Sequence, residues 1–179
     1  DDNINTDLII RSEDELIGSV YVKNKKFFYQ NEHSAFSKIN VIDVDFSKIF
    51  KFNYDWIHLT GVSILTSSNT KIIFNELIRL ATSKNIKINF NFNYRSSLHL
   101  INTLWLMIKK VINKFEIFQI SNTDLTKIFE LEKFSLSNID DSLLVFCRKF
   151  EIKRCLVNFK EENETSQKVN SVMVIKNKI

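Results

Sequence analysis

From about Tyr54 onward, short β-branched or aromatic runs alternate with segments whose apolar residues recur at helical spacing. Chains with that alternation fold as a parallel sheet with helices on its faces, because each strand needs a crossover to bring the next one in parallel. Trp56 to Leu59 is a short apolar run stopped by Thr60-Gly61. Asn69 or Thr70 is placed to open a helix in which Ile73, Leu77, Leu80 and Ala81 share one face. Ile86 to Phe92 is a strand with Ile86, Ile88, Phe90 and Phe92 on one side. The next helix carries Ile101, Leu104, Trp105, Ile108, Val111 and Ile112, with Lys109, Lys110 and Lys114 toward its negative end. Phe115 to Ile120 is a strand, and Asn122 to about Glu130 a short helix. Ser137 can cap a last helix ending near Phe150, and Cys155 to Phe159 and Val172 to Ile175 are the closing strands.

The first third differs. Ile17 to Val22 and Lys26 to Gln30, separated by Lys23-Asn24-Lys25, read as a β-hairpin, a flap appended to the α/β core. No internal repeat or Ser/Gly linker divides the chain. One domain over residues 1–179 is expected, with the flap at about 17–30 and the core at about 54–175.

Composition excludes several classes. Hydrophobic residues make up 44% and Phe occurs 16 times, so a core is affordable and disorder is not expected. Pro is absent and Gly occurs twice, where average usage gives roughly nine and a dozen. Lys, Asn, Ile and Phe abound instead, a pattern matching AT-rich coding. The net charge of +4 therefore reads as a solvated Lys surface, since Lys is interleaved with Asp and Glu and no Arg stripe or aromatic platform for nucleic acid appears. The apolar stretch around Leu98 to Ile108 is interrupted by His99, Asn102 and Thr103 and falls short of the about 20 residues of a membrane span. Cys147 and Cys155 lack CxxC spacing, and His33, His58 and His99 are dispersed, so no metal motif is expected. Without a signal peptide, the expected setting is a reduced cytoplasm.

Three segments carry a resemblance. GSVYVKNKKFFYQNEHSA (Gly18 to Ala35) resembles a lid hairpin, DWIHLTGVSI (Asp55 to Ile64) a strand ending in a His-x-Ser-Gly type turn, and KINFNFNYRSSL (Lys87 to Leu98) a strand ending in Asn-Tyr-Arg. In this order they are similar to the PfkB, ribokinase-like family of carbohydrate kinases, most of all its 2-keto-3-deoxygluconate (sugar-acid) branch. The stretch from Cys155 onward is fainter in its similarity. The resemblance implies a ribokinase-like three-layer α/β/α sandwich, incomplete here, with a small antiparallel β flap. It also implies transfer of the ATP γ-phosphate to a sugar or sugar acid with Mg²⁺.

Carried over residue by residue, it makes Arg95, Gln30, Phe28 and Gly61 the candidate sugar contacts. A guanidinium grips a carboxylate through two parallel hydrogen bonds, which suits Arg95, although a strand-end Arg can equally be a plain surface residue. The lid's Tyr-Tyr-Arg is here Phe28-Tyr29-Gln30, which gives up a hydroxyl and a charge. The family's Asp is Asn91 and its Trp is His99. On the nucleotide side, Asn122-Thr123-Asp124-Leu125 keeps the Asn of Asn-x-x-Glu, with Leu at the Glu position and Asp124 one place early. Asn122 is also placed to cap the following helix. Asn158 stands where a Thr strand end is usual.

Family catalysis relies on a Gly-Ala-Gly-Asp segment, whose backbone amides hold the transferring phosphate and whose Asp takes the hydroxyl proton. Gly18 and Gly61 belong to no glycine-rich loop, and neither that segment nor the family's N-terminal glycine-bearing strand is present. The expectation is a sugar-kinase fragment without turnover, whose partners are a small sugar and a second copy paired through the flap. The alternative is a non-catalytic pseudokinase or interaction module of the same fold.

Overall fold

The computed structural model of the protein describes residues 5–23, 26–30, 33–135, 139–162 and 167–175. The hairpin forms as β1 (Ser19–Lys23) and β2 (Lys26–Gln30), antiparallel, with Val20 opposite Tyr29 and Tyr21 opposite Phe28. Its expected turn at Lys23-Asn24-Lys25 includes residues outside the described set. Every residue of β1 is exposed, and Tyr21 stacks on Phe28 at 5.0 Å.

The main sheet holds β3 (Trp56–Thr60), β4 (Lys87–Asn91), β5 (Ile117–Ser121), β6 (Arg154–Glu162) and β7 (Gln167–Ile175), in that spatial order. The first three junctions are parallel, and β6–β7 is antiparallel. The difference follows from the connections. Helices intervene between the parallel neighbours, whereas β6 returns directly as β7, which only an antiparallel hairpin allows.

Seven helices appear among the described residues: α1 (Ala35–Lys38), α2 (Phe46–Ile49), α3 (Gly61–Ile64), α4 (Ser68–Ser83), α5 (Ile101–Ile108), α6 (Asn122–Glu132) and α7 (Ile139–Lys149). Several differ from the sequence expectation. α4 starts one or two residues early because Ser67, not Asn69 or Thr70, is its cap: the Ser67 hydroxyl accepts from Thr70 N while Thr70 Oγ1 accepts from Ser67 N. Its buried stripe is Phe74, Ile78 and Ala81, with Ile73, Leu77 and Leu80 only half-buried beside it. α5 ends at Ile108; the chain tightens into a 3-10 turn over Ile112–Lys114, which keeps Ile112 and Phe115 buried without continuing the helix. Residues 35–49, where the sequence offered no helical pattern, carry α1 and α2. The Ser137 cap falls outside the described residues.

The core lies on one side of the sheet. Registration puts Leu59, Phe90, Phe118, Cys155 and Val174 in one cross-strand row, and Ile57, Ile88, Ile120, Val157 and Val172 belong to the same face. Phe90 stacks on Phe115 at 4.7 Å and meets the edge of Phe74 from α4. Leu104, Trp105, Ile128, Phe129, Leu143 and Phe146 from α5, α6 and α7 close the same cluster. Both cysteines are buried in it as free thiols; the hydrogen bond with Cys147, then burial, push the Cys155 thiol well above its ordinary pKa, as suits a packing residue rather than a reactive one. The alternate face bears Trp56, His58, Asn89, Gln119, Leu156 and Met173, none of them buried. No helix among the described residues is long and apolar enough to cross a membrane.

Candidate functional site

In an open α/β sheet, ligands bind beyond the carboxyl ends of the parallel strands, where backbone amides and loop side chains converge. Thr60, Asn91 and Ser121 end β3, β4 and β5, and Asn158 pairs with Ser121, but it is not the strand end expected from the sequence, because pairing with β7 carries β6 on to Glu162. Beyond β4, Asn93 adopts φ +38°, a left-handed conformation that Asn tolerates better than most residues. Its amide donates to Thr60 Oγ1 at 3.3 Å, tying the exits of β3 and β4 together. Tyr94 and Arg95 follow on the loop outside the sheet.

Arg95 is exposed, and among the described residues its side chain makes no direct ion pair or hydrogen bond. It lies close enough to the first turn of α6 to act on Asp124. Burial raises the Asp124 carboxyl above its usual range; a hydrogen bond with Ser121 and the charges of Lys127 and Arg95 oppose that rise. Lys127 Nζ also stands 5.4 Å over the Tyr94 ring, whose edge-on neighbour at 5.7 Å is His99. Burial lowers the His99 pKa, and His99 Nε2 and Asn122 Oδ1 are buried with no hydrogen-bond partner among the described residues. The outcome is two cations, a buried carboxylate and two unmatched polar atoms around the exits of β4 and β5. That combination suits an anionic, hydroxylated ligand.

Helical capping is performed by Ser121, whose hydroxyl accepts from Asp124 N at 3.1 Å, so Asn122 is not the cap. Asn158 Oδ1 accepts from Ser171 Oγ at 2.8 Å. Gly61 is buried where β3 turns into α3. Phe28 and Gln30 stay on the flap. Gln30 accepts from Ser19 Oγ and lines a cavity with Leu16, Tyr29 and His33, which does not include the strand-end residues.

No family model matches the chain, and no curated protein does. Solved structures do. A 2-dehydro-3-deoxygluconokinase from Thermotoga maritima superposes with a TM-score of 0.74 at 18% identity, covering 86% of this chain and 47% of its own. A PfkB family carbohydrate kinase from Listeria grayi gives 0.73 at 20% identity, covering 84% and 46%. The fold is that of the PfkB carbohydrate kinases. An Escherichia coli structure assigned as ribokinase II and solved with ATP and Mg²⁺ gives 0.63 at 18%, covering 87% and 50%. This chain thus spans about half the length of the kinases it matches.

Among the described residues, the groups expected on the nucleotide side do not by themselves fit ATP and Mg²⁺. Among the described residues no three His, Cys, Asp or Glu side chains gather to hold a metal. Asp124 is tied to Ser121 with burial working against its charge, and Asn158 already has a donor. Asn122 Oδ1 is the one strand-end acceptor left buried and unmatched among the described residues. The sequence pointed to Arg95, Asn122 and Asp124, and the structure gathers them around the exits of β4 and β5. Sequence reasoning missed Lys127, whose signal was its position one helical turn after Asp124, and the pair of Asn93 with Thr60.

Proposed function

We propose that this chain is the sugar-acid-binding portion of a PfkB-type kinase, with Arg95 as the group that holds the ligand's carboxylate. The observation that carries the reading is Arg95 itself: an exposed guanidinium without a direct partner, at the carboxyl end of β4, with Lys127 beside it and Asn93 on the same loop. Gly61 sets the backbone path at the neighbouring strand exit, and Phe28 and Gln30 contribute where the flap closes over a ligand. Asn122 and Asn158 face the nucleotide side, and the reading assigns ATP and Mg²⁺ to the complete kinase, with their principal ligands outside this set of residues. The 179 residues hold no Gly-Ala-Gly-Asp stretch and act as one partial unit, flap 17–30 and core 54–175. The exposed Val20, Tyr21, Val22 and Phe28 support pairing of two copies through the flap, and two buried free thiols suit the reducing cytoplasm.

Calorimetry with 2-keto-3-deoxygluconate tests the ligand assignment. Arg95→Ala should lose about 2 kcal/mol of binding, roughly thirtyfold in affinity, as expected for removing a charge-assisted pair. Arg11→Ala, away from the strand exits, should change little. Equal effects of the two substitutions would remove Arg95 from the site. With ATP and Mg²⁺ added, the chain alone should form no phosphorylated product; turnover sensitive to substitution would place catalytic groups among these residues after all.

A further inference from the structure

Arg95, Asp124 and Lys127 meet where β4 and β5 leave the sheet, and their charges do not balance. Arg95 is exposed on the loop after β4, whereas Asp124, in the first turn of α6, is only 9% exposed. Lys127 follows Asp124 by three positions on the same helix, a spacing that puts the two on one face. The Lys127 ammonium is not spent on solvent alone. Its Nζ stands 5.4 Å over the ring of Tyr94, the residue before Arg95, and this cation–π contact ties α6 to the loop that carries the guanidinium. Neither cation makes a direct ion pair with Asp124 among the described residues, so the three act on one another through space. Burial is the largest influence on the Asp124 carboxyl and raises its pKa; the Ser121 hydrogen bond, then Lys127, then Arg95 lower it. Such coupling is mutual. A carboxylate that Arg95 stabilises also weakens the hold of Arg95 on any other anion.

We propose that Lys127 is a positioning residue for ligand binding: held by Tyr94 beside Asp124, it offsets that carboxylate and leaves the Arg95 guanidinium to grip the carboxylate of the ligand. The inference rests on the sugar-acid reading of the site and deepens it by assigning its charge balance. Two cations and one carboxylate leave one net positive charge, matched to a ligand that brings one negative charge. Without Lys127, Asp124 would cancel Arg95 and the strand exits would offer an anion no net attraction. Without Asp124, the site would carry both positive charges and hold the anion more tightly. Lys127 therefore acts only through Asp124, and its effect disappears once that carboxylate is neutral.

Calorimetry with 2-keto-3-deoxygluconate at neutral pH, on the full chain, tests this through a double-mutant cycle. Lys127 is exposed, so Lys127→Met is compatible with folding; it should weaken binding about fivefold or more, while Lys127→Arg, which keeps the charge, should stay within about twofold. Asp124→Asn retains an oxygen for Ser121 and should tighten binding about threefold. The double variant should return to within about twofold of the wild-type chain, because the carboxylate that Lys127 offsets is gone. Lys110→Met removes the same charge from an exposed position beyond the far end of α5 and should change nothing. A side chain that only packs would give additive losses and no rescue. In the ligand-free chain, NMR titration should find the Asp124 pKa higher in Lys127→Met than in the wild type. Equal losses in Lys127→Met and Lys110→Met, weaker binding in Asp124→Asn, no rescue in the double variant, or an unmoved Asp124 pKa would each overturn the proposal and leave the role of Arg95 standing. Absence of binding by the wild-type chain would overturn the sugar-acid reading itself, and this inference with it.

Discussion

Gly61→Ala should be the most damaging single-methyl change in the chain. A Cβ at this position would stand 2.1 Å from the Phe92 carbonyl oxygen and 3.0 Å from Leu104 Cδ2. Gly61 does not have a positive φ, so backbone freedom is not why glycine is needed; close approach is. The obstructing atom is backbone, fixed in turn because Phe92 N donates to the Gln119 carbonyl at 2.8 Å. Relief therefore requires the exits of β3 and β4 to separate, against a core of fully buried side chains. The expected loss is about 3 kcal/mol or more, and at about 2–4 °C per kcal/mol for a chain of this size the midpoint should fall by roughly 6–12 °C. Thermal unfolding followed by circular dichroism checks this. The same separation would break the Asn93–Thr60 bond and misplace Arg95, so any sugar-acid binding should weaken alongside stability. A fall of less than about 1 kcal/mol would show that the strand exits yield more easily than their packing indicates.

Much of this was legible in the residues. The strand at Trp56–Thr60 announced itself as a short apolar run stopped by Thr60-Gly61, that at Lys87–Asn91 by a period of two against polar alternates, and the crossover helices by their apolar spacing. α1 and α2 were not legible, because four residues make one turn and one turn has no periodicity to detect. The end of α5 was hidden for the opposite reason: Val111 and Ile112 stay in helical phase after the helix has stopped, since burial rather than hydrogen bonding dictates their positions. At the site, the Asn-Tyr-Arg motif led to Arg95, and Ser121 three places before Asp124 was a readable cap overlooked in favour of Asn122. What no local pattern could show was the coupling between distant segments. Asn93 reaches Thr60 across 33 positions, and Trp105 reaches Glu132 across 27. Such pairs are products of the sheet order, not of the sequence near them.

Glu132 should govern the acid stability of the helical layer. Its Oε1 accepts from Trp105 Nε1 at 2.8 Å and from Lys109 Nζ at 2.9 Å, and its Oε2 accepts from Lys149 Nζ at 2.9 Å. One carboxylate thus joins α5, α6 and α7. Burial alone would raise its pKa, but the donors Lys109, Trp105 and Lys149 prevail and hold it down to about 2 from an ordinary 4.5. A group depressed in the folded state contributes its full stability above the unfolded pKa. That contribution is lost as pH falls from about 4.5 toward 2, and by linkage it amounts to about 3 kcal/mol at neutral pH. The carboxylate side chain is only 13% exposed, but Lys109 and Lys149 are 33% and 47% exposed, so solvent screening lowers that toward about 2 kcal/mol. Glu132→Gln keeps an acceptor for Trp105 but loses both ion pairs, and should cost about 2–3 kcal/mol at pH 7. Glu132→Ala should cost more, about 3–5 kcal/mol, because Trp105 is 1% exposed and its indole N–H would then be buried without an acceptor. Denaturant unfolding across pH 7 to 2 separates the effects: the wild-type chain should lose stability steeply below pH 4.5, and both variants should show a correspondingly shallower slope. An unchanged slope in Glu132→Gln would mean that other carboxylates, such as Glu116 with Lys153 and Arg154, carry the acid sensitivity instead.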